Sequence, residues 1–547
     1  MDIEKPEDIE SKFWKLMEIE DTSVFSTENA LGYLGALIDL SGDLSNEAGL
    51  NRAICVGNEI LTSNLPALDR ATCHYFLGNA HSSLGRLRGN HNEYQWDQEE
   101  VEKEILNLRY ALKYSENSDV PDNILRQVYT NMGNNFKHVG RLSEAIPYWK
   151  KAIDLNPTFA MAIGGVGNGL FKYAETLYDE GYKQIFASQS HQFLSEALEI
   201  HDDPHFYPNA RDGFAYTKQW LEDRVDKDIL ENDWGMDSFS LGESSDEVQY
   251  RKWCLQNTLF LNNLNDLGPY SICACDTLVL PTFTTRLDKG KSSIGHDEEP
   301  YFLSFFNQMK QEFVSARFLF YEGTEASHSD IHYSDKDVKL RDTLDSPSYC
   351  LAAEKVKASF RIAYSIFDKI ACFLNKYHQL EIPDNKVYFR DIWYNVKKQG
   401  RRPDEKHGVR DVFQKNENIP LRGLFWLSKD LVKEDDEFSE SIEPDAQKLK
   451  EIRNHIEHKD FKLIDSFGLE DSTESECSDE FIADSLTYQI NRNDFEKKCL
   501  KLLKLSRAAL IYLCLSVHCE EKRRNKDNGE MKCQKMPFRE LEDDMKI

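Results

Sequence analysis

The chain has 547 residues, a hydrophobic fraction of 40% and a formal net charge of -28. This length is more than one hydrophobic core supports, so we expect two to four domains. The hydrophobic fraction excludes a mostly disordered chain. The acidity excludes a general nucleic-acid coat, because contacts with phosphates need a basic surface. Any contact with RNA must therefore use a local basic patch.

Neither a membrane-spanning segment nor a secretion signal is predicted. The chain has no run of about 18 apolar residues, and residues 1–10 are acidic where a signal peptide would be basic and then apolar. The 12 cysteines are irregularly spaced, and the closest pair, Cys273 and Cys275, has no second pair or histidine at a zinc-finger distance. We therefore expect a cytoplasmic protein with reduced thiols, no structural metal and no cofactor.

Self-similarity is the main feature of the N-terminal half. A Gly-Asn pair recurs at residues 78–79, 133–134 and 167–168, and the last two copies are 34 residues apart. The first copy lies 55 residues before the second, because an acidic and polar insert near residues 88–100 lengthens one turn. A fixed period of this size is typical of stacked helical hairpins, each of which buries its apolar face against its neighbours.

The clearest copy, residues 129–157, resembles a tetratricopeptide repeat. Its small residues let two helices approach closely, and its large residues fill the space between turns. The residues on the two facing stripes and at the two helix ends are Met132, Gly133, Phe136, Ala145, Trp149 and Ala152, then Gly140 and Pro157. We expect a solenoid of four or five helix pairs over residues 10–225, within a domain of residues 1–230. Its concave groove is interpreted as a docking site for a protein or peptide, with a purely structural stalk as the alternative.

A stretch rich in glycine, serine and acidic residues, 232–246, marks the start of the C-terminal half. We assign residues 231–345 to a connecting helical segment, 346–520 to a HEPN-like helical bundle and 521–547 to a charged tail. Apolar residues at helical spacing predict the main helices of this half, at 301–323, 347–378, 421–432, 443–460 and 491–518. The whole chain is therefore assigned to the all-α class, with a β pattern only in short stretches around residues 275–285.

The residues with the clearest chemical meaning are 453–458, Arg-Asn-His-Ile-Glu-His. Arg453 and His458 are five residues apart, a little over one helical turn, so the arginine side chain can extend towards the imidazole. An imidazole can move protons near neutral pH, and a guanidinium binds phosphate oxygens through parallel N–H groups. The structural alternative is a surface salt-bridge arginine beside a satisfied core histidine. His455 is interpreted as a packing or surface residue.

This motif, at the end of a helix within a bundle, resembles the active-site motif of HEPN ribonucleases. The flanking segments 250–268, 307–322 and 421–427 also resemble one bacterial HEPN family, which is often found behind tetratricopeptide repeats. The resemblance covers roughly residues 245–518.

The resemblance implies a metal-independent endoribonuclease. In such an enzyme His458 is the acid or the base, Arg453 stabilises the transition state, and Asn454 orients the arginine or the phosphate. The resemblance also implies a homodimer, formed through the C-terminal bundle, in which two copies of the motif share one cleft.

A basic segment, residues 386–402, reverses the acidity locally. Aromatic residues alternate with its positive charges, which is typical of an RNA surface, because cations contact phosphates and aromatic rings stack on bases. The candidate RNA-binding residues are Arg390, Lys397, Lys398, Arg401 and Arg402, together with Arg422 in the next predicted helix. A solvated basic face over core aromatics is an equally weighted alternative.

The sequence thus favours an endoribonuclease that acts on RNA, with tRNA as a candidate substrate, under the control of a helical-repeat sensor. The resemblance alone implies a toxin-like role in bacterial stress or phage defence. A catalytically silent HEPN and repeat scaffold, for dimerisation and for protein or RNA binding, is the first alternative. A nucleotide-binding accessory domain is the second.

Overall fold

A computed structural model describes residues 9–19, 25–89, 95–116, 118–283, 301–325, 331–343, 347–396, 407–431, 441–464, 487–528 and 539–546. These residues are mostly helical and contain one two-stranded parallel sheet, so the predicted all-α class is confirmed. None of the described helices combines the length and the apolar composition that crossing a membrane requires.

The N-terminal half is built from helices that pair with their neighbours in the chain. Its helices are α1 (Ile9–Met17), α2 (Thr27–Asp43), α3 (Glu47–Leu61), α4 (Ala67–Leu87), α5 (Glu99–Ser115), α6 (Asp122–His138), α7 (Leu142–Leu155), α8 (Ala160–Thr176), α9 (Glu180–Glu199), α10 (Pro208–Arg224) and α11 (Lys227–Leu230). Three-residue turns join α2 to α3, α6 to α7 and α8 to α9, and short turns of this kind make antiparallel hairpins. Helices α4 and α5 also pack together, across a longer connection, so within the described residues α2–α9 form four pairs, in agreement with the expected four or five. That the pairs are tetratricopeptide repeats stays a prediction.

The Gly-Asn pair at residues 133–134 has a clear packing role at Trp149 of α7. The buried indole lies against Gly133 of α6 and Gly165 of α8, where a Cβ atom would come within 2.6 and 2.7 Å of the indole Nε1. That Nε1 donates a hydrogen bond of 3.2 Å to Asn134 Oδ1. The glycine therefore admits the ring, and the asparagine beside it satisfies the ring's only N–H group.

Substitution of Gly133 by alanine should destabilise the array. The added methyl group meets the rigid indole, and overpacking of this kind costs about 1–3 kcal/mol, which the better helix propensity of alanine offsets only in part. Gly32 of α2 offers a matched control, because a Cβ atom there meets nothing within 4 Å. Urea unfolding should show a loss of free energy of unfolding for Gly133→Ala, and no loss for Gly32→Ala. Equal effects of the two variants would contradict the packing argument.

The C-terminal half is a helical bundle with the sheet at one end. Its elements are α12 (Ser245–Gln256), α13 (Tyr301–Glu325), α14 (Leu351–Tyr377), α15 (Asp411–Gln414), α16 (Ile419–Ser428), α17 (Ala446–His458), β1 (Asp460–Ile464), β2 (Thr487–Asn491) and α18 (Arg492–Asn528). Helix α14 packs between α13 and α18, while α16 packs on α18 and α17 packs on α14. The helices predicted in this half are all present. Because α13 packs along α14, helices on both sides of residue 346 share one bundle, and the domain boundaries themselves stay predictions.

The sheet was not predicted. Strand β1 follows α17 directly, β2 leads directly into α18, and the two pair in parallel with Asp460 opposite Thr487. Phe461 and Tyr488 stack on one face at 6.0 Å between ring centres, which stabilises this cross-strand pair. The expected β pattern around 275–285 was wrong for residues 275–283, which contain no strand. The acidic, serine-rich insert at 466–480 lies outside the described residues.

Helix α18 continues ten residues beyond the predicted end at 518. The extension carries buried carboxylates with partners on other elements: Glu520 accepts from Asn416 Nδ2 at 2.9 Å, and Glu521 accepts from Tyr377 Oη at 2.6 Å. Arg524, one turn later, lies over the Tyr377 ring at 4.5 Å. These contacts stabilise residues 519–528 as part of α18, whereas residues 521–547 were predicted to form a charged tail.

The two halves share one continuous core rather than touching at a small interface. The insert between α4 and α5 supplies Trp96, which is buried and donates through Nε1 to Asn416 O at 3.1 Å. Its ring packs against Phe413 and Phe425 of the C-terminal half. Gly140, at the turn between α6 and α7, has a φ of +85° and lies against the backbone of α16, so a side chain there would separate the halves.

A buried ion cluster lies at the same junction. Asp430, just after α16, accepts two hydrogen bonds from Arg109 of α5, at 2.7 and 3.0 Å, and a third from Arg141 at 2.7 Å. All three side chains are buried. Burial alone would raise a carboxyl pKa, but the two guanidinium groups more than reverse this and hold the pKa of Asp430 well below its usual range. Next to it, buried Lys429 contacts Asp97 and Glu102 of the N-terminal half.

A second buried carboxyl group, Glu104 of α5, has the opposite electrostatic setting. Burial raises its pKa to about 7, and hydrogen bonding to Asn135 and Ser82 opposes this only in part. A carboxyl group whose folded pKa is raised contributes stability below its unfolded pKa and loses it as pH rises through the folded pKa. We expect the free energy of unfolding to fall between about pH 4.5 and pH 7 by roughly 2–3 kcal/mol from this group. The pH profile of Glu104→Gln should lack this fall, and an unchanged profile would contradict it.

Candidate active site

Helix α17 presents Arg453, Asn454 and His458 at the surface of the bundle. Its buried side chains, Leu449 and Ile452, anchor it to the core. It ends at His458 because Lys459 adopts an extended backbone that continues into β1. The sheet therefore fixes the end of the helix at which the imidazole lies.

Contacts with Tyr364 and Asn454 help to hold Arg453 in place. Its guanidinium carbon lies 5.6 Å from the ring centre of Tyr364 on α14, and its Nη1 donates to Asn454 Oδ1 at 3.1 Å. The side chain is half-buried. A guanidinium that stacks on a ring and donates to an amide oxygen loses less freedom on binding a phosphate than a mobile one does.

His458 is exposed at the end of α17. Within the described part of the chain its imidazole makes no hydrogen bond and no ion pair, not even with Arg453. The structure of a single chain thus brings Arg453 and Asn454 into contact and leaves His458 accessible to a ligand.

His455 faces the interior, which confirms its interpretation as a packing residue. Its ring is buried, its Nδ1 lies 2.8 Å from Glu451 O, and it packs against Tyr488 of β2 at 5.4 Å between ring centres. The two histidines of the motif therefore differ in setting: His455 is buried and His458 is exposed to solvent.

The basic segment does not present an RNA surface in the part that the structure describes. Arg390 is buried and contacts Tyr394 Oη at 3.4 Å, and Arg422 is buried because α16 is covered on all sides. The aromatic residues Phe389 and Trp393 are buried in the shared core. The remaining candidates, Lys397, Lys398, Arg401 and Arg402, lie outside the described residues.

Tyr364 is a site residue that the sequence reasoning missed. It lies one turn after Phe360 on α14, beside the buried stripe and not on it, and it is half-buried. An aromatic residue at the edge of an apolar stripe can cover a neighbouring side chain. The position of Tyr364 at this edge is the one feature of the sequence that could have indicated its role. Which residue it covers follows only from the packing of α14 on α17.

The start of α17 is tied to the repeat array. Arg109 of α5 donates to Ile442 O at 2.8 Å and lies 3.3 Å from Glu443, just before the helix begins. One turn further along α5, Lys113 lies 3.5 Å from Asp445, the residue that precedes α17. The helix that carries the motif is therefore positioned from both sides, by the N-terminal half at its start and by β1 at its end.

Comparison with known proteins gives one match. No curated protein and no solved structure is detectably similar to the chain. Among the described residues, no group of three or more histidine, cysteine, aspartate or glutamate side chains is arranged to hold a metal ion. The model of the LA2681-like HEPN family matches residues 294–520, a range that includes α13–α17, most of α18 and the motif on α17. The C-terminal part of the chain is therefore similar to the LA2681-like HEPN family.

Proposed function

We propose that the protein is a metal-independent endoribonuclease whose active site is formed by Arg453, Asn454 and His458. One observation carries the proposal: a single helix of a HEPN-like domain bears both an anchored guanidinium and an exposed imidazole. RNA cleavage without a metal requires a cation that stabilises the negative charge of the transition state and a group that transfers protons. Arg453 and His458 offer these two groups.

The reaction is an internal transphosphorylation. An imidazole takes the proton of a ribose 2′-hydroxyl, and the 2′-oxygen attacks the adjacent phosphorus. The Arg453 guanidinium binds the oxygens that gain negative charge in the transition state. The bond from phosphorus to the 5′-oxygen breaks, and an imidazolium returns a proton to that oxygen. The products carry a 2′,3′-cyclic phosphate and a 5′-hydroxyl.

The reaction uses one base and one acid, while each chain supplies one exposed motif imidazole. We therefore propose a homodimer in which the α17 surfaces of two copies face each other and each contributes one His458. The 63.5 kDa chain should then show twice its mass in light scattering. A monomer that cleaves RNA at full rate would exclude the shared cleft without excluding the ribonuclease.

The direct test is cleavage of total tRNA and of an unstructured single-stranded RNA by the full-length protein, with EDTA present. Cleavage with 2′,3′-cyclic phosphate ends supports the proposal and its metal independence together. Cleavage that EDTA abolishes would point to a metal-dependent mechanism. Control by the repeat array, and the role in bacterial stress or phage defence that the resemblance implies, belong to the same proposal.

The second candidate is a catalytically silent scaffold that binds RNA or protein. The net charge of -28 favours it, because an acidic protein repels most RNA. RNA binding by folded dimers that leave the RNA intact, with and without EDTA, would favour the scaffold over the enzyme.

A further inference from the structure

A pocket of about 320 Å³ lies between helices of the repeat array and the start of α16. Residues of α4, α6, α7 and α8 line it, together with Glu104 of α5. Ile419, the first residue of α16, also lines it, so the C-terminal half contributes to the pocket. A volume of this size suits a small ligand the size of a mononucleotide, whereas an extended peptide would need an open groove.

Three cations line the pocket: Arg86, Lys137 and Lys172. The exposed Arg86 guanidinium donates to Ser83 Oγ at 3.1 Å, which leaves most of its donors for a ligand. Lys172 lies 3.4 Å from Glu175, and ion pairs this exposed are weak. Three cations around one small cavity, in a chain with a net charge of -28, indicate an anionic group in the ligand.

The Glu104 carboxylate lines the same pocket and is only 4% exposed. Its Oε1 accepts a hydrogen bond of 2.8 Å from Asn135 Nδ2, and Ser82 also interacts with the carboxylate, while Oε2 receives no hydrogen bond from the described residues. A buried carboxylate oxygen that receives no hydrogen bond costs free energy, so this position favours a ligand that brings a donor.

Two asparagines of α6 add further hydrogen-bonding groups to the pocket wall. Asn131 uses its Nδ2 to donate to Asn79, and Asn134 uses its Oδ1 to accept from Trp149. The remaining acceptor of Asn131 and the remaining donors of Asn134 make no hydrogen bond within the described residues. Together with Glu104 they form a short polar surface that matches the edge of a nucleobase.

We propose that this pocket binds a phosphorylated ligand the size of a mononucleotide, with its phosphate at Arg86 and Lys172 and a hydrogen-bond-donating edge at Glu104 and the two asparagines. A guanine edge, with two adjacent N–H groups, is the nearest common match to a carboxylate. The proposal concerns the repeat array and does not depend on the ribonuclease activity of the α17 surface.

The test is isothermal titration calorimetry of the full-length protein with GMP, AMP, inorganic phosphate and a hexapeptide rich in aspartate and glutamate. We expect one GMP per chain, bound at least tenfold more tightly than phosphate alone. At pH 8, where Glu104 is ionised, the variant Glu104→Gln should weaken GMP binding roughly tenfold, the effect of one hydrogen bond to a charged group, and leave phosphate binding unchanged. The double variant Arg86→Ala/Lys172→Ala should weaken both ligands at least tenfold.

Lys103→Ala is the matched control, because this exposed lysine is next to Glu104 in the chain, pairs with Glu99 and does not line the pocket. It should change GMP affinity less than twofold. The substituted cations lie at the surface, so thermal melting should show that both the double variant and the control are folded. Absence of GMP binding to the folded protein overturns the proposal. Binding of the acidic peptide in place of GMP, or GMP binding that survives the double variant, overturns it as well.

Discussion

The variant His458→Ala should lose RNA cleavage by a factor of about 10²–10⁴, which is the usual contribution of a general acid or base. The loss should appear in the rate of formation of 2′,3′-cyclic ends under saturating RNA, because the imidazole acts on protons in the transition state. RNA binding should change little, since the anchored Arg453 remains. Cleavage assays with end-group analysis measure the first effect, and filter binding measures the second.

The structure makes this variant interpretable, because His458 is exposed and makes no hydrogen bond within the described residues. Its removal should leave the free energy of unfolding within about 0.5 kcal/mol of the wild-type value. A matched control is His332→Ala, another exposed histidine of the C-terminal half, far from α17 in the chain. A loss of activity of less than about threefold in His458→Ala would remove the imidazole from the mechanism, whereas equal losses in both variants would indicate a nonspecific effect.

The variant Asp430→Ala should lower the free energy of unfolding by about 3–5 kcal/mol. The substitution leaves the buried guanidinium groups of Arg109 and Arg141 without their shared carboxylate, and breaking a buried ion pair from one side typically costs this much. Urea unfolding at pH 7 measures the loss. Because Arg109 also holds the start of α17, slower RNA cleavage should accompany the loss of stability.

The matched control for this variant is Asp411→Ala. Asp411 pairs with Lys415 at 3.0 Å, and both side chains are about three-quarters exposed, so its removal should cost less than about 0.5 kcal/mol. The folded pKa of Asp430 is depressed, so its contribution is complete above the unfolded pKa of about 3.9 and is lost as pH falls below it. A cost below about 1 kcal/mol for Asp430→Ala would mean that neighbouring carboxylates neutralise both arginines.

The long helices were predictable because their apolar stripes repeat over many turns, as on α14, where Val356, Phe360 and Phe367 are buried. The sheet was not, because β1 has five residues and its partner follows an insert of more than 20 residues. A pattern of that length does not distinguish a strand from an extended connection. The end of α18 was missed for another reason. Charged residues such as Glu520 indicate a solvent-exposed tail in the sequence, and only the structure shows that Glu520 has a partner on another element.

The candidate site was predictable in its composition but not in its setting. The sequence pointed to Arg453, Asn454 and His458, and the contact between the first two agrees with the expected role of Asn454. It gave no means of separating the buried Arg390 and Arg422 from surface arginines. Their burial follows from the packing of α16 between the two halves, which joins residues about 300 positions apart and leaves no periodic trace in the sequence.

The distance along the chain between the two halves of the junction has a consequence for synthesis in the cell. Arg141 and Asp430 are separated by 289 residues. At about 5–20 residues per second, the ribosome therefore adds Asp430 roughly 15–60 s after Arg141. During that interval the nascent repeat array exposes Trp96 and two guanidinium groups that are buried in the finished protein. The array should therefore engage chaperones while it waits, and an N-terminal fragment that ends before α16 should aggregate or turn over rapidly.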